Sequence, residues 1–182
     1  TRFRDPIGLA SGTHYTTCRD MVKICRYAMT FEKFREIVAL NQGVVKKSNK
    51  RPYGFGYSTT NKIRYPGDKK LYFREWRDQV VGIKTGTTGP AGYCFAGCME
   101  ADGLVYYSVC MFGKDRVMPD NRTYRGDFLA TLRLYDWART LSPAQFYAGE
   151  SVGSVPVEGG AAASVPVAVA EDAKLLLDGM TK

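Results

Sequence analysis

Val80-Val81-Gly82-Ile83-Lys84-Thr85-Gly86-Thr87-Thr88-Gly89-Pro90-Ala91-Gly92-Tyr93 is the stretch around which the chain is organised. The run Val80 to Ile83 predicts a buried strand, because β-branched side chains pack well on a pleated surface. Gly89-Pro90 predicts a turn, and Tyr93 to Met99 is a second apolar run, so the pair reads as a hairpin. A third run, Leu104 to Met111, follows Asp102-Gly103. Asp-Gly between apolar runs is a strong hairpin signal. The three runs together predict an antiparallel meander. A two-residue Asp102-Gly103 turn would set Cys110 opposite Phe95, on the other face from Cys94.

Upstream, Thr17 with Asp20 makes a capping-box-like helix start. Cys18, Met21, Val22, Cys25, Ala28 and Met29 then recur at helical spacing on one face. Thr30 to Leu40 predicts a second short helix with Phe31, Phe34, Ile37 and Val38 inward. Residues 43–68 read as loop-rich, with Gly alternating with aromatics at Tyr53-Gly54-Phe55-Gly56-Tyr57. Downstream, residues 113–126 are polar and basic. Phe128 to Trp137 predicts a helix with Phe128, Leu132 and Tyr135 facing a core and Leu129 beside them. Composition changes after Thr140, and Ser142-Pro143 marks a boundary. The Val-rich segments 151–157 and 163–170 predict two strands of a separate β unit, and residues 174–180 form a short apolar coda. Two domains are expected, 1–141 and 142–182.

The 182 residues carry a formal net charge of +8, which favours anionic partners. Nucleic acid is one candidate, and an anionic wall polymer or membrane surface is another. The densest basic tract, Lys46-Lys47-Ser48-Asn49-Lys50-Arg51, reads as a solvated loop. Basic residues among aromatics match no RNA-binding module. No apolar run is long enough to span a bilayer. The five cysteines cannot all pair within the chain. Cys18 and Cys25 lie about 10 Å apart along a helix, and Cys94 and Cys98 about 13 Å apart along a strand; a disulfide needs Cα atoms within about 7 Å. The spacings miss the common zinc patterns. All five are read as free thiols, and no metal or cofactor is expected. His14, the single histidine, has no Ser or Cys nucleophile motif near it and is assigned a structural or capping role.

Lys84-Thr85-Gly86 carries the chemistry. K-T-G on a strand is one of three elements of penicillin-recognising serine enzymes, beside S-x-x-K and an S-x-N element. Ile83 to Thr88, followed by Ala91-Gly92-Tyr93-Cys94, resembles the G-I-K-T-G-x-T-x-x-A-G-Y-C segment of D-alanyl-D-alanine carboxypeptidases. These are low-molecular-mass penicillin-binding proteins that trim cell-wall peptides. Thr1 to Leu9 resembles their T-x-F-x-N-P-x-G-L stretch, with Asp5 where Asn is usual. His14-Tyr15-Thr16-Thr17 resembles the start of their H-Y-S/T-T-A-x-D-M helix, and Thr60-Asn61-Lys62 sits where they carry T-N-x-L.

The resemblance implies an α+β fold: an antiparallel sheet with packed helices, followed by the start of a β-rich domain. It implies that Lys84 presents a positive charge to the substrate's terminal carboxylate and that Thr85 donates its hydroxyl to it. Gly86 would let a peptide approach the strand, and the backbone N–H of Thr87 would be one oxyanion donor. Strict alternation puts Lys84 and Gly86 on one face and Thr85 on the other, so Thr85 reaches a ligand only from an edge strand. No serine in the chain has Lys three residues later or Asn two later. In the family both elements lie upstream of the T-x-F-x-N-P stretch. The chain therefore reads as the C-terminal part of a catalytic domain with the opening of a second one, inactive by itself.

The implied partners are a peptidoglycan stem peptide ending in D-Ala-D-Ala, β-lactam antibiotics, and a second chain carrying the N-terminal half. Nucleic acid is not expected, and membrane contact is expected only through segments outside these residues. The implied location is the extracytoplasmic face of a bacterial membrane or the cell wall, with a role in cell shape. The alternatives are a β-lactamase-like hydrolase and a non-catalytic cell-wall or peptide-binding module. The β unit after Thr140 counts against the first, and the absent S-x-x-K favours the second.

Overall fold

The structure is a computed structural model that describes residues 1–9, 12–67, 69–156, 158 and 162–177. Its centre is the meander: β3 (Val80–Thr88), β4 (Gly92–Ala101) and β5 (Leu104–Gly113), in the order β3-β4-β5. Ala101 pairs with Leu104 across Asp102-Gly103. Both turn residues have positive φ, 53° and 75°, as a tight two-residue hairpin turn requires. From that turn the register runs on to Phe95 opposite Cys110, as the count along the sequence predicts.

Alternation along β4 divides the side chains between two helix-bearing faces. On one face Phe95 lies 5.1 Å, centroid to centroid, from Phe128 of α3 (Gly126–Ala138), and the Ser108 hydroxyl donates to the Tyr135 hydroxyl oxygen at 2.9 Å. Gly97 sits beneath that pair. A Cβ there would come within 2.7 Å of Ser108 Oγ, so the sheet and α3 can approach this closely only over glycine. Phe128, Leu132 and Tyr135, the residues read as inward, join Ile63, Tyr72, Val80, Met99 and Tyr124 in one buried cluster. Each such fully buried apolar side chain contributes roughly 1.5–3 kcal/mol, so this cluster holds the unit together.

The other face of the sheet takes α1 (Cys18–Ala28), which lies against β5 and β4, and α2 (Glu32–Val38), which lies against β3. Thr17 caps α1 by accepting the Asp20 N–H at 3.1 Å. Asp20 does not complete a reciprocal capping box; its carboxylate receives the Thr1 hydroxyl and the Lys23 ammonium instead. Cys25 and Met29 are buried, and Met21, Val22 and Ala28 are half-buried, as the helical spacing predicts, but Cys18 is exposed. His14 accepts the Arg4 N–H at 3.2 Å and rests against Phe3, which supports its structural reading.

Several expectations need correction. The second helix is shorter than Thr30 to Leu40, and only Phe34 and Val38 face inward. Phe31 and Ile37 are 51% and 59% exposed, because the seven-residue helix presents two turns to β3 and cannot bury four apolar side chains. The loop-rich stretch 43–68 contains a hairpin, β1 (Gln42–Val45) with β2 (Phe55–Ser58). The basic stretch 113–126 contains another, β6 (Asp115–Val117) with β7 (Thr123–Arg125). Two 3₁₀ turns, Lys70–Tyr72 and Glu75–Gln79, precede β3. Arg74 between them makes a forked pair with Asp136 of α3, at 2.9 and 3.0 Å.

The chain divides into two compact units, Thr1–Asp136 and Trp137–Lys182. In the second, β8 (Ser142–Phe146) pairs with β11 (Ala173–Leu177), and β9 (Ser151–Pro156) with β10 (Ser164–Ala168), all antiparallel. The segment read as an apolar coda thus begins as a strand; its residues 178–180, and Val157 of the preceding strand segment, lie outside the described residues.

All five cysteines are free thiols, with Cys25 and Cys98 buried and Cys18 exposed. Burial first, and the Glu100 carboxylate second, push the Cys98 thiol up to about 12, far from its reactive thiolate form. A thiol reagent applied to the native chain is expected to modify Cys18 first and Cys25 and Cys98 last. In denaturant without reductant it should count five thiols. A count of three would mean that a pair is oxidised and that this picture of the core is wrong.

Candidate functional site

β3 is the edge of the meander, so one of its two rows of backbone groups is unpaired within the sheet. Lys84 pairs with Ala96, Thr85 with Phe95, Gly86 with Cys94 and Thr87 with Tyr93. Lys84 and Gly86 therefore lie on the α1/α2 face, where Val38 approaches the backbone of Gly82, and Thr85 lies on the α3 face. Residues two apart turn their N–H groups the same way, so Thr85 and Thr87 present theirs to one side and Lys84 and Gly86 to the other. Lys84, Gly86 and Thr87 are exposed and Thr85 is half-buried. The Lys84 ammonium bonds the Thr85 carbonyl, and the Thr87 hydroxyl donates to the Gly86 carbonyl at 2.8 Å.

The edge is held by a strap that precedes it. Thr60 Oγ1 and Thr85 Oγ1 lie 2.6 Å apart, and either can donate. The next residue fixes the strap. Asn61 is buried, and its side-chain oxygen accepts the N–H of Ile63 at 3.1 Å and of Arg64 at 3.4 Å, an Asx turn. Ile63 is fully buried in the core cluster. Arg64 Nη1 donates to the carbonyl of Val80, the first residue of β3, at 2.9 Å. One short segment thus grips β3 at its start and at the K-T-G triplet. In the sequence, Thr60-Asn61-Lys62 stands out only by its family resemblance. Nothing in the sequence shows that Thr60 meets a hydroxyl 25 residues away, because the contact depends on the fold between them.

A second cation stands beyond Thr87. Arg125 lies over the ring of Tyr93, the cross-strand partner of Thr87, at 4.4 Å, and over Phe128 at 4.6 Å. Its guanidinium is forked onto Asp127, a fully buried carboxylate in the first turn of α3. Removing Arg125 would leave the buried Asp127 carboxylate without its partner, at a cost of about 3–5 kcal/mol. Among the described residues no cluster of three or more His, Cys, Asp or Glu side chains is placed to hold a metal ion. No described helix is long and apolar enough to cross a membrane.

The arrangement offers an extended peptide a strand edge, a fixed hydroxyl and a nearby ammonium. Gly86 is compatible with this use. A Cβ there would meet only Cys94 Cβ, at 3.9 Å, so the fold itself does not require glycine.

The family profile of D-alanyl-D-alanine carboxypeptidases matches residues 1–115. The D-alanyl-D-alanine carboxypeptidase DacF of Bacillus subtilis (strain 168) is 26% identical over 113 residues, 58% of this chain and 25% of that protein. Among solved structures, a D-alanyl-D-alanine carboxypeptidase from Mycobacterium tuberculosis H37Rv matches with a TM-score of 0.52 at 27% identity, covering 74% of this chain and 45% of that one. A mutant of the Streptomyces K15 DD-transpeptidase matches with a TM-score of 0.51 at 24% identity, covering 61% and 40%, a likeness of fold. The chain spans less than half the length of each of these relatives.

Two substitutions separate strap from edge. Asn61→Ala removes a side-chain acceptor from two N–H groups in a buried turn, and a net loss of about 1–3 kcal/mol is expected in a denaturation midpoint. Gly86→Ala should leave stability within about 0.5 kcal/mol, because Ala fits an extended backbone that meets nothing closer than 3.9 Å. A large loss for Gly86→Ala would show that this glycine serves packing.

Proposed function

We propose, since this chain belongs to the D-alanyl-D-alanine carboxypeptidase family, that it supplies the substrate-carboxylate side of a serine-type enzyme removing terminal D-Ala from peptidoglycan stem peptides. The observation that carries this reading is the free edge of β3, with the Thr85 hydroxyl held 2.6 Å from Thr60 Oγ1. A stem peptide adds to that edge as an extra strand, so main-chain hydrogen bonds supply affinity and the side chains beside them supply specificity. Thr85 donates its hydroxyl to the terminal carboxylate while the Thr60 hydroxyl donates to Thr85 Oγ1, which keeps Thr85 oriented. Lys84 releases the Thr85 carbonyl and adds its charge. Gly86 leaves room for the peptide.

A serine hydroxyl supplied by the rest of the protein attacks the carbonyl of the penultimate D-Ala. The Thr87 N–H is one donor to the resulting oxyanion, and a single such donor is worth about 10²–10³ in rate. The C–N bond breaks, the free D-Ala leaves with the proton taken from the serine, and water later hydrolyses the acyl-enzyme. A β-lactam would acylate the same serine. In this reading residues 1–141 belong to the catalytic domain and 142–182 open a β-rich second one, and the enzyme works outside the cytoplasmic membrane. The second reading, a non-catalytic wall-peptide-binding module, is favoured by one observation: no serine in the chain carries Lys three residues on.

In the full-length protein, Lys84→Ala is expected to lower kcat/KM for a D-Ala-D-Ala peptide by roughly 10- to 150-fold, the equivalent of a charge-assisted hydrogen bond of about 1.5–3 kcal/mol. The thermal midpoint should hardly move, because Lys84 is exposed. Unchanged hydrolysis would remove Lys84 from the site. Fluorescent penicillin should not label the chain by itself, and should label a mixture with the N-terminal half of the catalytic domain. A stoichiometric adduct on the isolated chain would contradict the assignment of the nucleophile.

A further inference from the structure

The longest stretch of the chain without a carboxylate runs from residue 37 to residue 67, and it holds Lys46, Lys47, Lys50, Arg51, Lys62 and Arg64. The first four lie at the far end of the β1–β2 hairpin. Beyond the Val45–Phe55 pair the chain does not loosen into an irregular loop. Ser48 and Arg51 exchange both backbone hydrogen bonds, at 2.9 and 3.1 Å, leaving Asn49 and Lys50 as a two-residue tip. Arg51 stacks over Phe55 at 5.0 Å. The tract read as a solvated loop is therefore a folded finger with its cations gathered at one end. Among the described residues no carboxylate forms a salt bridge with any of the four.

Apolar side chains stand among these charges. Tyr53 is 96% exposed and Val44 75% exposed, with Val45 and Phe55 also exposed. A soluble phosphate polymer would use the cations and gain nothing from the rings. A bilayer interface uses both, since anionic headgroups attract each Lys or Arg and a tyrosine ring settles at headgroup level. We propose that the β1–β2 finger docks on an anionic phospholipid surface. This stands apart from the assignment of Lys84-Thr85-Gly86, and it departs from the expectation that membrane contact lies only outside these residues. The root of the finger leads from Ser58 directly to Thr60, the partner of Thr85, so docking would hold the β3 edge close to the bilayer.

The test is co-sedimentation of the purified chain with vesicles of phosphatidylcholine mixed with phosphatidylglycerol, and with vesicles of phosphatidylcholine alone. Binding is expected only to the first and should weaken as salt rises. A triple Lys46→Gln, Lys47→Gln, Lys50→Gln variant leaves the Arg51–Phe55 stack in place and should bind at least about tenfold more weakly. Tyr53→Ser should bind several-fold more weakly, with the thermal midpoint of both variants unchanged. Equal binding to the two vesicle types, or wild-type binding by the triple variant, would overturn the proposal. So would a Tyr53→Ser variant that binds like wild type while soluble polyphosphate displaces the vesicles, since the ligand would then be phosphate charge and not a bilayer. If the triple variant loses its fold, the salt titration and Tyr53→Ser decide the matter on their own.

Discussion

The antiparallel register of β3 against β4 is the constraint from which the rest of the unit follows. Side chains alternate across a strand with a period of two, so a slip of one residue would send each to the opposite face. With Lys84 opposite Ala96 and Thr85 opposite Phe95, the Phe95 row meets α3 and the Cys98 row meets α1 and α2. The same register leaves β3 at the edge and divides the K-T-G triplet between the two faces. A shifted register would bury Lys84 where Phe95 and Phe128 now pack. The size of that cost, a charge without a partner in an aromatic core, explains why the pairing is unambiguous.

Two scales of energy act at the edge. The core beneath it is built from Val80, Phe95, Met99, Phe128, Leu132 and Tyr135, and supplies the bulk of the stability. The strap contributes less, since its hydrogen bonds are worth about 0.5–1.5 kcal/mol each. Its role is orientation. Thr60, Asn61 and Arg64 hold the strand at two points and tie the Thr85 hydroxyl to a fixed neighbour. In the proposed reaction the enzyme's task on this side of the substrate is to hold a carboxylate still while a serine acts, and a fixed donor does that better than a mobile one.

The meander was legible because its signals are local. Val80 to Ile83 is a β-branched run, Asp102-Gly103 is a turn that specifies its own geometry, and Phe128, Leu132 and Tyr135 recur at helical spacing. Lys84, Thr85, Gly86 and Thr87 were legible through their resemblance to a known segment, and the structure adds that they sit on an edge strand. The β1–β2 and β6–β7 hairpins were not legible, because strands of three or four residues with glycine or charge inside them carry too short a pattern to separate from loop. Phe31 and Ile37 stay exposed because apolar type predicts burial only when a neighbouring surface is wide enough to receive it. The Thr60–Thr85 contact and the seat of Arg125 over Tyr93 are tertiary, and no spacing encodes them.

The most direct test is a crystal structure of the full-length protein with a bound peptide ending in D-Ala-D-Ala. The account predicts the peptide lying antiparallel along β3, its terminal carboxylate within hydrogen-bond distance of Thr85 Oγ1, and Thr60 still touching Thr85. A peptide bound away from β3, or one whose carboxylate is held without Thr85, would contradict it.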